Sequence, residues 1–178
     1  MKPKGFLLFH LNLAFSSLDE DARPNVIKSC YHPLLDLIEE TGIKIGIELT
    51  GWTLKQIQQI DIDWTNRFKE MLKEDKCELI GSGYSQIIGP LVPFKVNQWN
   101  QRLGIKTYQN ILSCRPNIAL VNEMAFSRSL VDIYLDNEYS GLVMDRDNIK
   151  LSLDLENAPI SQIPSLAKGN SEDTIPIL

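Results

Sequence analysis

Three carboxylates, Glu48, Glu123 and Asp145, each stand at the end of a short apolar run, and His10 closes another. Cleaving a glycosidic bond with retention needs two carboxyl groups about 5–5.5 Å apart, one as nucleophile and one as acid/base. All three fall near expected strand ends and could face one pocket. Glu123 follows the run Asn117–Val121, where partial desolvation would tune its proton affinity. The same residue also reads as a carboxylate favoured by the dipole of a helix starting near Ser127. His10 fits either a hydrogen bond to a sugar hydroxyl or a satisfied place below the rim. Trp52, just past Gly51, reads as a stacking platform for a pyranose or as a packed rim residue. Gly81-Ser82-Gly83-Tyr84 lets the backbone approach a ligand closely, with the Ser82 hydroxyl and the Tyr84 ring beside it. Asp145 reads as orienting a sugar hydroxyl or water, or as a turn residue. Glu78, in mid-strand, reads better as a buried, paired carboxylate.

Stepping along the chain, apolar runs alternate with amphipathic stretches. Strands are expected at Gly5–His10, Ile43–Leu49, Cys77–Ile80, Asn117–Val121 and Gly141–Asp145, with another beginning at Thr174–Leu178. Helices are expected over Ala22–Thr41, from a Thr53 cap to Ile60, and over Trp64–Glu74, Asn97–Ser113 and Ser127–Asn137, from helical spacing and stop signals. Such alternation implies right-handed crossovers and a parallel sheet. Polar groups at five successive strand ends favour a barrel over an open sheet of the dinucleotide-binding kind, whose glycine fingerprint is missing after the first strand. Eight βα units take roughly 200 residues or more. The fold class expected is therefore α/β, a parallel-strand, partial TIM-like barrel truncated after about five strands. Residues 1–178 read as a single domain, with 156–173 as a surface loop.

Composition narrows the function classes. With 18 Lys+Arg against 23 Asp+Glu, the net charge of −5 argues against a nucleic-acid partner. No apolar run approaches the roughly 18 residues of a membrane span, nor the core of a signal peptide. The three cysteines, Cys30, Cys77 and Cys114, are isolated and there are two histidines. That spacing points to neither a zinc site nor a disulfide framework, so no metal or cofactor and a cytoplasmic location are expected.

The segment Cys77–Pro93 (CELIGSGYSQIIGPLVP) carries the most specific pattern. It resembles the second motif of glycoside hydrolase family 57, Gly-x-x-Glu-Ile-x-Gly-Gly-x-Tyr followed by Pro-Leu-x-Pro. His10-Leu11-Asn12 is similar to that family's first motif, His-Gln-Pro. Ile118–Glu123 is similar to its third, in which a glutamate follows an apolar strand. After Glu123 this chain has Met124-Ala125-Phe126 where the family often has Arg-x-Trp. The resemblance covers residues 6 to about 147 and implies the amino-terminal part of a (β/α)7 catalytic barrel. It further implies a glycoside hydrolase or transglycosylase acting on α-linked glucans by double displacement. Glu123 would be the nucleophile, and the general acid, an aspartate of the fourth motif, would lie beyond residue 178. His10, Glu48, Trp52, Ser82, Tyr84 and Asp145 are the expected substrate contacts, and residues 1–178 alone are expected to be inactive. A carbohydrate-binding relic of the same fold is the alternative. A metal-dependent polysaccharide deacetylase fits less well, because Asn12 replaces an acid and no His-x-x-x-His follows.

Overall fold

The computed structural model describes residues 5–145 and 165–178. Strands β1 (Leu8–Leu11), β2 (Ile45–Leu49), β3 (Cys77–Gly81), β4 (Ile118–Leu120) and β5 (Gly141–Val143) pair in chain order, and every pairing is parallel. This is the expected five-strand parallel arrangement; β1, β2, β4 and β5 cover fewer residues than expected, while β3 runs one residue further, to Gly81. The sheet then continues. β7 (Thr174–Ile177) lies parallel to β5, and β6 (Ser165–Lys168) lies antiparallel to β7 at the edge. Residues 165–168 thus form a strand where a loop was expected, because their backbone groups pair with Thr174–Ile177 in a hairpin. Residues 169–173 turn between β6 and β7, and 156–164 lie outside the described residues.

Helices occupy the crossovers: α1 (Arg23–Val26), α2 (His32–Thr41), α3 (Gly51–Ile60), α4 (Ile62–Lys73), α5 (Phe94–Leu112) and α6 (Arg128–Asp136). α1 and α2 are joined by one π turn, Ile27–Tyr31. Pro33 accounts for it: a proline has no N–H and its ring crowds the carbonyl four residues back. The wider turn lets the His32 N–H reach the Ile27 carbonyl instead. Gly42, at φ 66°, ends α2 in the left-handed conformation that glycine adopts without strain.

In β2, Ile45, Ile47 and Leu49 point to one face and pack with Leu35 and Ile38 of α2, Leu54 and Ile57 of α3, and Trp64 and Phe68 of α4. A second cluster joins β4, β5, β6 and β7 to α6. Apolar side chains on both faces are what a parallel sheet covered by helices requires. The helix at 51–60 starts three residues earlier than expected. Its cap is Thr50, whose hydroxyl accepts the Thr53 N–H at 3.1 Å.

Asp61 links two helices. It caps α4 by accepting the Trp64 N–H at 2.9 Å and bonds His32 of α2 at 2.9 Å. Burial pushes the Asp61 carboxyl up, but the Trp64 N–H and His32 outweigh it and hold the carboxyl below its ordinary 3.8. A depressed carboxyl stabilises the fold above its unfolded value, and that contribution is lost as pH falls through the folded value. Asp61→Ala should therefore cost about 1 kcal/mol in urea denaturation at neutral pH, with the difference shrinking below about pH 4. An unchanged neutral-pH midpoint would show that the cap contributes nothing.

Candidate active site

The carboxyl ends of β1 to β4 open into one cleft of about 950 Å³, lined by His10, Asn12, Tyr31, Trp52, Gln86 and Glu123 among others. Three of the residues expected from the sequence, His10, Trp52 and Glu123, thus meet in one place.

His10 and Glu48 are register partners on adjacent parallel strands, so their side chains leave the same face. Their side chains are joined by a hydrogen bond from His10 Nδ1 to Glu48 Oε2. Glu48 is wholly buried, while the His10 side chain is 38% exposed. Glu48 therefore stands behind His10 and does not line the cleft, which leaves it to orient the imidazole rather than touch a substrate. Its second oxygen, Oε1, and the buried Ser82 hydroxyl have no hydrogen-bond partner among the described residues. Ser82, too, lies beneath the cleft.

The Glu48 hydrogen bond raises the His10 pKa above 6.5; burial opposes this, and the charges of Glu48 and Glu123 add to the rise. A raised histidine stabilises the fold fully below its unfolded value, and the stabilisation is lost as pH rises through the folded value. Stability is thus expected to decline as pH climbs from about 6.5, and His10→Gln should flatten that limb. Imidazole NMR titration alongside denaturation at several pH values checks this; a folded pKa below 6.5 would refute it.

Trp52 occupies the first turn of α3, whose free N–H groups are taken up by the loop after β3. Gly51 N donates to Gly83 O at 2.9 Å and Trp52 N to Tyr84 O at 2.8 Å. The Arg23 guanidinium lies 5.2 Å from the Trp52 ring centroid, a cation–π contact. Arg23 itself is held by Leu13 O at 3.2 Å and by Glu20 at 3.2 Å. Tyr84 does not reach the cleft. Its ring packs so close to Gly51 that a Cβ there would stand 3.0 Å away, and its N–H is bound to Asn100 O at 2.9 Å.

Glu123 follows buried Val121 and Asn122, with the Asn122 amide donating to Ser82 O at 3.0 Å. The backbone then turns left-handed at Glu123 (φ 55°) and Met124 (φ 52°), conformations that cost a non-glycine residue about 1–3 kcal/mol each. This turn carries the carboxylate outward, so Glu123 is exposed, not desolvated as its apolar run implied. Its Oε1 accepts from Gln86 Nε2 at 2.6 Å, and Gln86 Oε1 accepts from Asn12 Nδ2 at 2.7 Å. Asp145, at the end of β5, is exposed, donates its N–H to Met124 Sδ at 3.2 Å and does not line the cleft. Gln86 and Asn12 were not among the expected contacts. The only sequence signal for Gln86 was its place two residues after the Gly-Ser-Gly-Tyr strand end.

Among the described residues no group of three or more His, Cys, Asp and Glu stands together to hold a metal ion. No helix there is long and apolar enough to cross a membrane.

Comparison with known proteins adds the family. Residues 10–167 match glycosyl hydrolase family 57. The fold is shared with the 4-alpha-glucanotransferase of Thermococcus litoralis (TM-score 0.78, 15% identity, 97% of this chain and 26% of that one). It is shared also with the alpha-amylase AmyC of Thermotoga maritima (0.74, 13%, 99% and 46%). A third is the family 57-type branching enzyme of Pyrococcus horikoshii (0.68, 13%, 98% and 46%). The chain thus spans less than half the length of each of these structures. No curated protein matches it.

Proposed function

Because the chain belongs to glycosyl hydrolase family 57, we propose that it supplies the nucleophile-bearing part of a site that cleaves or transfers α-linked glucans. The observation that carries this reading is the Glu123 carboxylate, exposed in a cleft and held on one oxygen by Gln86 at 2.6 Å. In the first step a Glu123 oxygen attacks the anomeric carbon, the glycosidic C–O bond breaks, and the departing oxygen takes a proton from the general acid. The resemblance puts that acid, an aspartate, beyond residue 178. In the second step water or a sugar hydroxyl attacks the glycosyl ester and releases the Glu123 carboxylate, with retention overall.

The surrounding groups have complementary tasks. His10, kept protonated to higher pH by Glu48, offers its outer nitrogen as a donor to a sugar hydroxyl. Trp52 offers an aromatic surface beside it, and the Arg23 cation on the ring restricts where a pyranose can stack. The three free cysteines fit work in a reducing compartment.

Incubation with a fluorinated glucosyl fluoride, then peptide mapping by mass spectrometry, tests the reading. A glycosyl adduct on Glu123 supports it. An adduct on another carboxylate refutes it, and glucan binding with no adduct anywhere favours the carbohydrate-binding relic.

A further inference from the structure

We propose that Gln86 is a positioning residue that holds Glu123 Oε1 and leaves Oε2 as the attacking oxygen. This rests on the reading of Glu123 as nucleophile. The Ala14 backbone N–H can only donate, and it binds Asn12 Oδ1 at 2.8 Å. Asn12 must then turn its amide nitrogen the other way, to Gln86 Oε1 at 2.7 Å. Gln86 in turn must present its nitrogen to Glu123 Oε1 at 2.6 Å. Amide orientation is otherwise ambiguous, but here a backbone donor sets the direction of the whole relay. Its last member, Glu123 Oε1, is thereby obliged to accept.

The relay spans the ends of β1, β3 and β4, and its middle is anchored. Asn100 of α5, mostly buried, accepts the Ser85 N–H at 2.7 Å and donates to Ser85 O at 2.9 Å. Gln86 therefore extends from a fixed backbone. At the far end, the left-handed backbone of Glu123 limits how the side chain can swing. With Oε1 held by Gln86, Oε2 accepts no hydrogen bond among the described residues and is the oxygen placed to form the C1–O bond. A misplacement of about 1 Å at a reacting atom can cost on the order of 100-fold in rate, so cutting the relay has a measurable consequence.

The probe is 5-fluoro-α-D-glucosyl fluoride with the 178-residue chain. The C1–F bond breaks, fluoride leaves with its electron pair, and the Glu123 lone pair makes the C1–O bond; no proton is transferred, so no general acid is needed. Gln86→Glu keeps the shape and the bond from Asn12 but cannot donate, and it faces Glu123 with like charge. Its labelling rate should fall about 10- to 100-fold while its thermal midpoint stays near that of the unaltered chain. The double variant of Gln86→Leu with Asn12→Ala should label no more slowly than Gln86→Leu alone, because one relay has already been cut. In parallel, the Gln86 side-chain amide signals in a ¹⁵N spectrum should move on Glu123→Ala. Normal labelling by Gln86→Glu, or unmoved Gln86 signals, overturns the relay and leaves Glu123 as nucleophile untouched. An adduct elsewhere than Glu123, or none on the unaltered chain, instead overturns the reading beneath it, and the amide signals still decide whether the relay exists.

Discussion

Glu123→Gln is expected to fold normally while turnover of an α-glucan by the complete catalytic domain drops by about 10⁴-fold or more, the scale of losing a covalent nucleophile. The substitution is isosteric, and Glu123 is exposed, so little packing changes. Glu123→Gly separates chemistry from folding more sharply. The residue sits at φ 55°, a conformation glycine reaches freely, so Glu123→Gly should be more stable than Glu123→Ala by about 1 kcal/mol. The glycine variant should be equally inactive. Azide can then enter the vacated space and attack in place of the carboxylate, giving a glycosyl azide of inverted configuration. Near-normal turnover by Glu123→Ala would end the assignment.

Gly104→Ala is expected to be among the most damaging single substitutions in the described core. A Cβ on Gly104 would fall 2.7 Å from both the Cα and the carbonyl oxygen of Gly83. Those are backbone atoms and cannot rotate aside. That carbonyl also holds Gly51 N at 2.9 Å and Tyr108 Oη at 3.1 Å, so pushing it outward disturbs the start of α3 and hence Trp52. Overpacking of this kind costs roughly 1–3 kcal/mol, occasionally more. Urea denaturation should show it, together with weaker binding of maltooligosaccharides. A stability equal to that of the unaltered chain would mean that α5 and the Gly83 turn are not in such close contact.

Elements whose side chains repeat with a strong period were readable from the sequence. IKIGIEL and CELIG became β2 and β3, since an apolar strand between helices has one way to be buried. His10, Trp52 and Glu123 were readable as candidate site residues because each stands at or just past the end of an apolar run. What escaped depended on three or more segments meeting. Gln86 joins the site only through Asn12 and Glu123, which are 74 and 37 residues away from it in sequence. Glu48 looked like a rim carboxylate, but parallel register with His10 puts it behind the imidazole. Tyr84 looked like a sugar platform, yet two glycines, Gly51 and Gly104, open a space that its loop packs into. Glu123 looked desolvated, and a left-handed turn carried it out.

The π turn at Ile27–Tyr31 is also a point where evolution can change the cleft cheaply. Such a turn is, in effect, one residue inserted into an α-helix, and each residue advances the helix by about 100°. Deleting one residue there, together with replacing Pro33, would restore regular winding into α2 but rotate everything before it. Val26 and Cys30, which with Tyr31 line the cleft wall, would be exchanged for different neighbours, while β1 to β5 kept their places. A one-residue change in length there, with Pro33 replaced, would thus reshape the cleft wall without touching Glu123, His10 or the sheet that carries them.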